Sequence, residues 1–142
     1  MWDAVDLAKY IVTKCTRDNC PISNLQLQKI LYYVQKDALH HTGQPLFYNA
    51  IEAWKFGPVV PAVYYRFGCF GAMPIDMIYS TTKEPEEDVK GNIDRIVEEK
   101  RKLSPWALVN DTHKEGGAWD RIFDGGNGNR EEIPRDLIAK EA

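Results

Sequence analysis

The sequence predicts a mostly α-helical fold: a compact multi-helix domain around a central helix at about residues 23–42, with a small two-strand β element. Three observations carry this expectation. Apolar residues recur at i, i+3, i+4, i+7 spacing in several separate segments. The segment at 23–42 has two apolar stripes rather than one, so it packs on two sides. Weakly alternating residues before Gly57-Pro58 are too few for a large sheet.

The first helix runs over about Asp3 to Cys15. Ala4, Leu7, Ala8, Ile11, Val12 and Cys15 share one face, with Asp6, Lys9 and Thr13 opposite. Asp18-Asn19-Cys20-Pro21 is turn chemistry and ends it. Ser23 and Gln26 then form a capping box, each side chain meeting an orphan backbone N–H. The helix they open reaches about Thr42 and stops before Gly43. One stripe is Leu27, Ile30, Leu31, Val34 and Ala38; the other is Leu25, Tyr32 and Leu39. The polar strip of Lys29, Lys36 and His40 is expected to face outward.

A first strand is expected within about Leu46 to Phe56, with Glu52, Trp54 and Phe56 on one side and Ile51 and Ala53 on the other. Gly57-Pro58-Val59-Val60-Pro61 breaks the chain. Pro61 suits the first position of a helix that Val63, Tyr64 and Phe67 continue to about Phe70. A second strand at Pro74 to Tyr79 would pair with the first, and the hairpin must lie on the helices to be stable.

Residues 80–85 read as a polar linker. Pro85-Glu86-Glu87-Asp88 opens a long helix to about Leu103, its buried stripe Val89, Ile93, Ile96, Val97 and Leu103. Acids at its start and Lys100-Arg101-Lys102 at its end suit the helix dipole. Ser104-Pro105 starts a short helix over Trp106 to Val109. Gly116 to Arg130 is glycine-rich and reads as an exposed loop around Trp119. Glu132 to Ala142 closes with Ile133, Leu137 and Ile138, a docking helix.

With 142 residues, 44% hydrophobic and 27% charged, the chain suits one domain, residues 1–142. Its formal charge of −3 gives no electrostatic grip on nucleic acid. The halves differ: residues 1–71 carry +2 and twelve of the sixteen aromatics, and residues 72–142 carry −5. No apolar run spans a membrane. The acidic start, Met1-Trp2-Asp3, is unlike a signal peptide. Three cysteines, an odd number, fit a reduced cytoplasmic protein.

Catalytic and metal signatures are weak. Cys15, Cys20, His40 and His41 have the wrong spacing for zinc, and Cys15 falls on an apolar helix face. No metal or cofactor is expected. Asp111, His113 and Glu115 resemble an acid–base cluster but lie beside no evident nucleophile. The pairs Tyr32-Tyr33 and Tyr64-Tyr65 fit helix packing better than base stacking in so acidic a chain.

The most informative stretch is Glu52 to Tyr64. Pro58 and Pro61 fix φ, and Gly57 allows positive φ or a close backbone approach. The result is a rigid corner that holds the fold and presents Trp54 and Tyr64, aromatic types that anchor interfaces.

Three blocks in this order resemble the Panacea antitoxin domain family, also described as phage-associated, GepA-like or SocA-like. They are Pro21 to Gln35, with Leu27-Gln28-Lys29 and Tyr32 within it; Gly43-x-Pro45-Leu46-Phe47 followed by Ile51-Glu52-Ala53-Trp54; and Gly57-Pro58-Val59-Val60-Pro61-x-Val63-Tyr64. The motif-bearing part is 5–80, and 81–142 resembles a diverged version of the family's remaining helices. The resemblance implies a mostly helical fold with a small β element and a non-enzymatic role. The implied activity is that of an antitoxin, neutralising a partner toxin from a neighbouring gene by direct protein contact. Some family members add a DNA-binding region; no basic helix here matches one.

Tyr32, Tyr33, Trp54, Phe56, Tyr64, Tyr65 and Arg66 are the expected partner contacts, in an interface of roughly 1,600 Å². Two alternatives stand beside this reading. One is an adaptor that delivers its partner to a protease, which the resemblance also allows. The other is a small hydrolase using His113 with Asp111 or Glu115.

Overall fold

A computed structural model describes residues 1–142. The chain forms seven helices and one short hairpin. Helix α1 (Ala4–Arg17) is capped by the Asp3 side chain, which accepts from the Val5 amide. It runs two residues past the expected end, and Asn19, at φ 61°, turns the chain.

Helix α2 (Asn24–Thr42) has the expected capping box of Ser23 and Gln26 and the expected left-handed Gly43 at its end. It is the hub of the fold, packing against α1, the hairpin and four later helices. The two-stripe pattern predicted that position. The outward polar strip is corrected, however. Lys29 is wholly buried and Lys36 half-buried, and only His40 is exposed. Lys29 turns inward because a backbone carbonyl awaits it, as described below.

Strands β1 (Glu52–Trp54) and β2 (Gly57–Val59) form an antiparallel hairpin across the two-residue turn Lys55-Phe56. The second strand is therefore not Pro74 to Tyr79. That segment crosses α1 in extended form instead, with the Tyr79 and Met77 amides donating to the Thr13 and Thr16 hydroxyls. A strand can begin at Gly57-Pro58 for a simple reason. Pro58 faces Ala53, whose N–H and C=O point away to Glu131 and Arg130, so the missing proline N–H leaves no ladder bond unmade.

Helix α3 (Pro61–Arg66) starts on Pro61 as expected, and a 3₁₀ turn continues to Phe70. Helix α4 (Glu87–Lys100) buries Ile93, Ile96 and Val97, with Val89 half-buried. Leu103 lies beyond its end and is exposed. Helix α5 (Pro105–Thr112) is longer than expected and capped by Ser104.

The expected exposed loop around Trp119 is instead helix α6 (Ala118–Phe123), and Trp119 is buried. Its ring stacks between His113 and Phe123, which outweighs the local glycine content. After Glu132 bridges to Glu52, helix α7 (Arg135–Lys140) docks through Ile138, with Ile133 buried just before it. One hydrophobic cluster draws residues from Trp2 to Ile138. No helix is long and apolar enough to cross a membrane.

Candidate functional site

The first turns of α2 carry Asn24, Gln28 and Lys29, all buried. Each grips the corner that follows β1. Lys29 Nζ donates to the Pro58 carbonyl at 3.0 Å. Gln28 Oε1 accepts from the Val60 amide at 2.9 Å, while its Nε2 donates to Asn24 Oδ1 at 2.9 Å. Asn24 Nδ2 in turn donates to the Tyr64 carbonyl at 3.1 Å. Gln28 and Lys29 thus supply partners that a third strand would otherwise provide, while Asn24, one helical turn before Gln28, orients the Gln28 amide and ties down α3. The blocks that carry the family resemblance are in contact with one another.

Gly57 is required at this corner. Its φ is +114°, and a Cβ there would lie 2.8 Å from both Lys29 Cε and Thr112 Oγ1. Burial pushes the Lys29 ammonium down to about 7, with no carboxylate in ion-pair range to offset it. Neutral or charged, the nitrogen can still donate to Pro58.

A second brace comes from α6. Trp119 Nε1 donates to the Trp54 carbonyl at 2.7 Å. The Trp119 ring lies 3.8 Å from that of His113, within 4° of parallel. His113 Nε2 is buried without a hydrogen-bond partner. Burial first, and then the charge of Lys29, lower the His113 pKa.

The outer face of the corner is aromatic. Trp54 is half-buried, with Nε1 donating to Glu52 Oε1 at 2.9 Å. Tyr64 meets it edge-on at 4.9 Å, and Tyr65 lies at 6.0 Å. The Arg130 guanidinium covers the Trp54 ring at 4.1 Å and donates to the Tyr65 hydroxyl at 3.1 Å. Beside them Phe56 and Trp106 form a perpendicular pair at 5.4 Å. Phe56, Tyr65 and Trp106 remain 45%, 62% and 59% exposed, so the rings are displayed rather than consumed by the core.

Of the expected contacts, Trp54, Phe56, Tyr64 and Tyr65 come together here, and Arg66 is exposed at the end of α3. Tyr32 and Tyr33 do not join them. Tyr32 is a core residue whose hydroxyl donates to Glu141 Oε2 at 2.8 Å, so it offers no surface for contact. Tyr33 is half-buried, hydrogen-bonded to Asp111 and covered by the Lys100 ammonium at 4.1 Å. Leu27, Val59 and Val60 are core. Trp106, Lys55 and Arg130 also belong to this face, and residue spacing alone does not mark them. Trp106, two residues past the cap Ser104, was legible as a first-turn residue; Arg130 arrives only through long-range packing.

The proposed acid–base cluster is not assembled. Asp111 bonds Tyr33 and pairs with Lys100, the His113 ring stacks on Trp119, and Glu115 is exposed. Cys15, Cys20, His40 and His41 do not gather as a metal site. Cys15 is in the core, and burial pushes its thiol up.

A sequence model of the family described as "Antitoxin SocA-like, Panacea domain" matches residues 27–120. That span holds the hairpin, the clamp residues Gln28 and Lys29, and Trp119. It starts later than residue 5 and runs well past Ser80, so the second half shares in the likeness. Over 134 residues the chain is 34% identical to Antitoxin SocA of Caulobacter vibrioides (strain NA1000 / CB15N), covering 87% of this chain and 71% of that protein. No solved structure matches the chain.

Proposed function

This chain belongs to the SocA-like, Panacea domain antitoxin family, and from that premise we propose that it neutralises a partner toxin by direct protein–protein binding in the cytoplasm. The observation that carries this reading is the aromatic corner of Trp54, Tyr64 and Tyr65, exposed on one side and clamped by α2 and α6 on the other. Rigid aromatic anchors lose little freedom on binding and dominate interface energetics. We take the functional domain to span 1–142, since the hydrophobic cluster draws on both ends of the chain.

The test is co-expression with the neighbouring gene. The antitoxin reading expects that gene to be toxic alone, harmless together with this chain, and its product to co-purify. Trp54→Ala and Tyr64→Ala, checked for an intact fold by circular dichroism, should each weaken protection. If both protect as well as the parent, recognition lies elsewhere. Toxin half-life in the same cells separates masking, which leaves it unchanged or longer, from delivery to a protease, which shortens it.

A further inference from the structure

We infer that the groove beside the aromatic corner binds an acidic segment of the partner protein carrying at least one apolar side chain. The inference rests on the antitoxin reading and names the partner's chemistry. The groove has a volume of about 490 Å³ and lies between the hairpin, α3 and α5. That volume falls in the range of pockets that hold small molecules or short peptide stretches, roughly 300–1,000 Å³. Its apolar walls include Trp54, Phe56, Tyr64 and Trp106.

Charge selects the occupant. Lys55 and Arg130 are the charged residues lining the groove, and no carboxylate lines it. This holds in a chain where acids outnumber bases by 21 to 18. Both cations are set on rings, Lys55 at 5.4 Å over Phe56 and Arg130 at 4.1 Å over Trp54, which holds them against the groove's own aromatic walls. The Glu52 carboxylate lies just outside the lining, held on the Trp54 indole N–H, so the groove walls themselves present only positive charge and favour acidic groups. On one rim Gly68, Gly71 and Ala72 carry little or no side chain, which leaves room for a partner backbone.

A nucleic acid fits less well. Base stacking needs free aromatic faces, and Trp54 has one face under Arg130 and Tyr64 against it edge-on. The second half of the chain, −5 in formal charge, would repel a long polyanion.

The experiment uses the full chain and the purified toxin from the neighbouring gene. Trp106→Ala and Lys55→Glu alter exposed side chains, so both should fold. Each is expected to weaken toxin binding by on the order of tenfold. A photo-crosslinking Trp106→benzoylphenylalanine variant then maps the toxin segment by mass spectrometry. The expected segment is acidic with an apolar residue, and reversing its acids to lysine should restore binding to Lys55→Glu. A basic crosslinked segment overturns the proposal. So does a complex that forms with no crosslink, or one that an oligothymidylate probe displaces from position 106. A toxin bound and neutralised equally by both variants removes the groove and leaves the antitoxin reading standing. A chain that neither binds nor protects removes both.

Discussion

Lys29 Nζ sits 3.0 Å from the Pro58 carbonyl oxygen, in a place water does not reach. A lysine in the first turns of the hub helix therefore acts as a prop for the aromatic corner, holding one backbone oxygen. With the Gln28–Val60 and Asn24–Tyr64 bonds, this contact joins the first block of the family resemblance to the third. It also makes the corner's stability depend on pH.

The Lys29 amine in the fold titrates near 7, whereas in the unfolded chain it takes up its proton at the ordinary lysine value. Between these values the unfolded state binds more protons, so stability rises as pH is raised from about 7 towards 10. Lys29→Met should flatten that rise. It should be at least as stable as the parent near neutrality and less stable at about pH 9.5, where the parent amine is neutral and still bonded to Pro58. Urea denaturation across this window provides the check, and parallel curves would refute the account. His113, also lowered, contributes in the same sense but only below its ordinary value near 6.5.

Gly57→Ala should be severe. The new Cβ meets Lys29 Cε and Thr112 Oγ1 at 2.8 Å, and alanine resists a φ of +114°. A loss of about 3 kcal/mol or more is expected in chemical denaturation, and a loss under about 1 kcal/mol would mean the corner is softer than described.

Gln28→Ala leaves the buried Val60 amide without an acceptor. The expected cost is about 2 kcal/mol, and hydrogen exchange at Val60 should accelerate. Gln35→Ala is the control at the same helix face. It frees the Leu46 and Phe47 amides instead, so exchange should rise there and not at Val60.

Glu141 ties the chain end to α2 and α6. Burial alone would raise its carboxyl pKa, but the Ala118 amide, the Tyr32 hydroxyl and the Lys36 ammonium more than offset this and hold it below the usual range. Its contribution is thus present above the ordinary carboxylate pKa and is lost as pH falls through the lower folded value. Glu141→Gln should lower stability at neutral pH by on the order of 1–2 kcal/mol and reduce the acid sensitivity of the melting temperature. An unchanged acid profile would show that Glu141 plays no such role.

Local signals were readable where local chemistry decides the outcome. The Ser23–Gln26 box, the left-handed Gly43 and the first-position Pro61 are each set by one turn of backbone. The hub position of α2 was readable because two stripes require two neighbours. The burial of Lys29 was not, because the carbonyl that holds it belongs to a residue far along the chain. Trp119 and Arg130 escaped for the same reason: their partners, the Trp54 carbonyl and the Trp54 ring, are set by packing between segments distant in sequence. At the site itself, Trp54, Phe56, Tyr64 and Tyr65 were legible as a group. Tyr32 was misplaced because an aromatic on a second helix stripe marks a buried contact as readily as an exposed one.

The hairpin has neither edge open. On the β1 side, Ala53 exchanges hydrogen bonds with Arg130 and Glu131, and Ile51 accepts from Ile133. On the β2 side, the Pro58 carbonyl and the Val60 amide are taken by lysine and glutamine side chains. A partner therefore cannot join by adding a strand here, the mode in which main-chain bonds give affinity to almost any sequence. Under the binding role proposed above, discrimination at this corner has to be written in side chains. An exposed position such as Tyr65 or Trp106 can then change during evolution, and redirect the protein to a different target, while the backbone frame beneath it stays as it is.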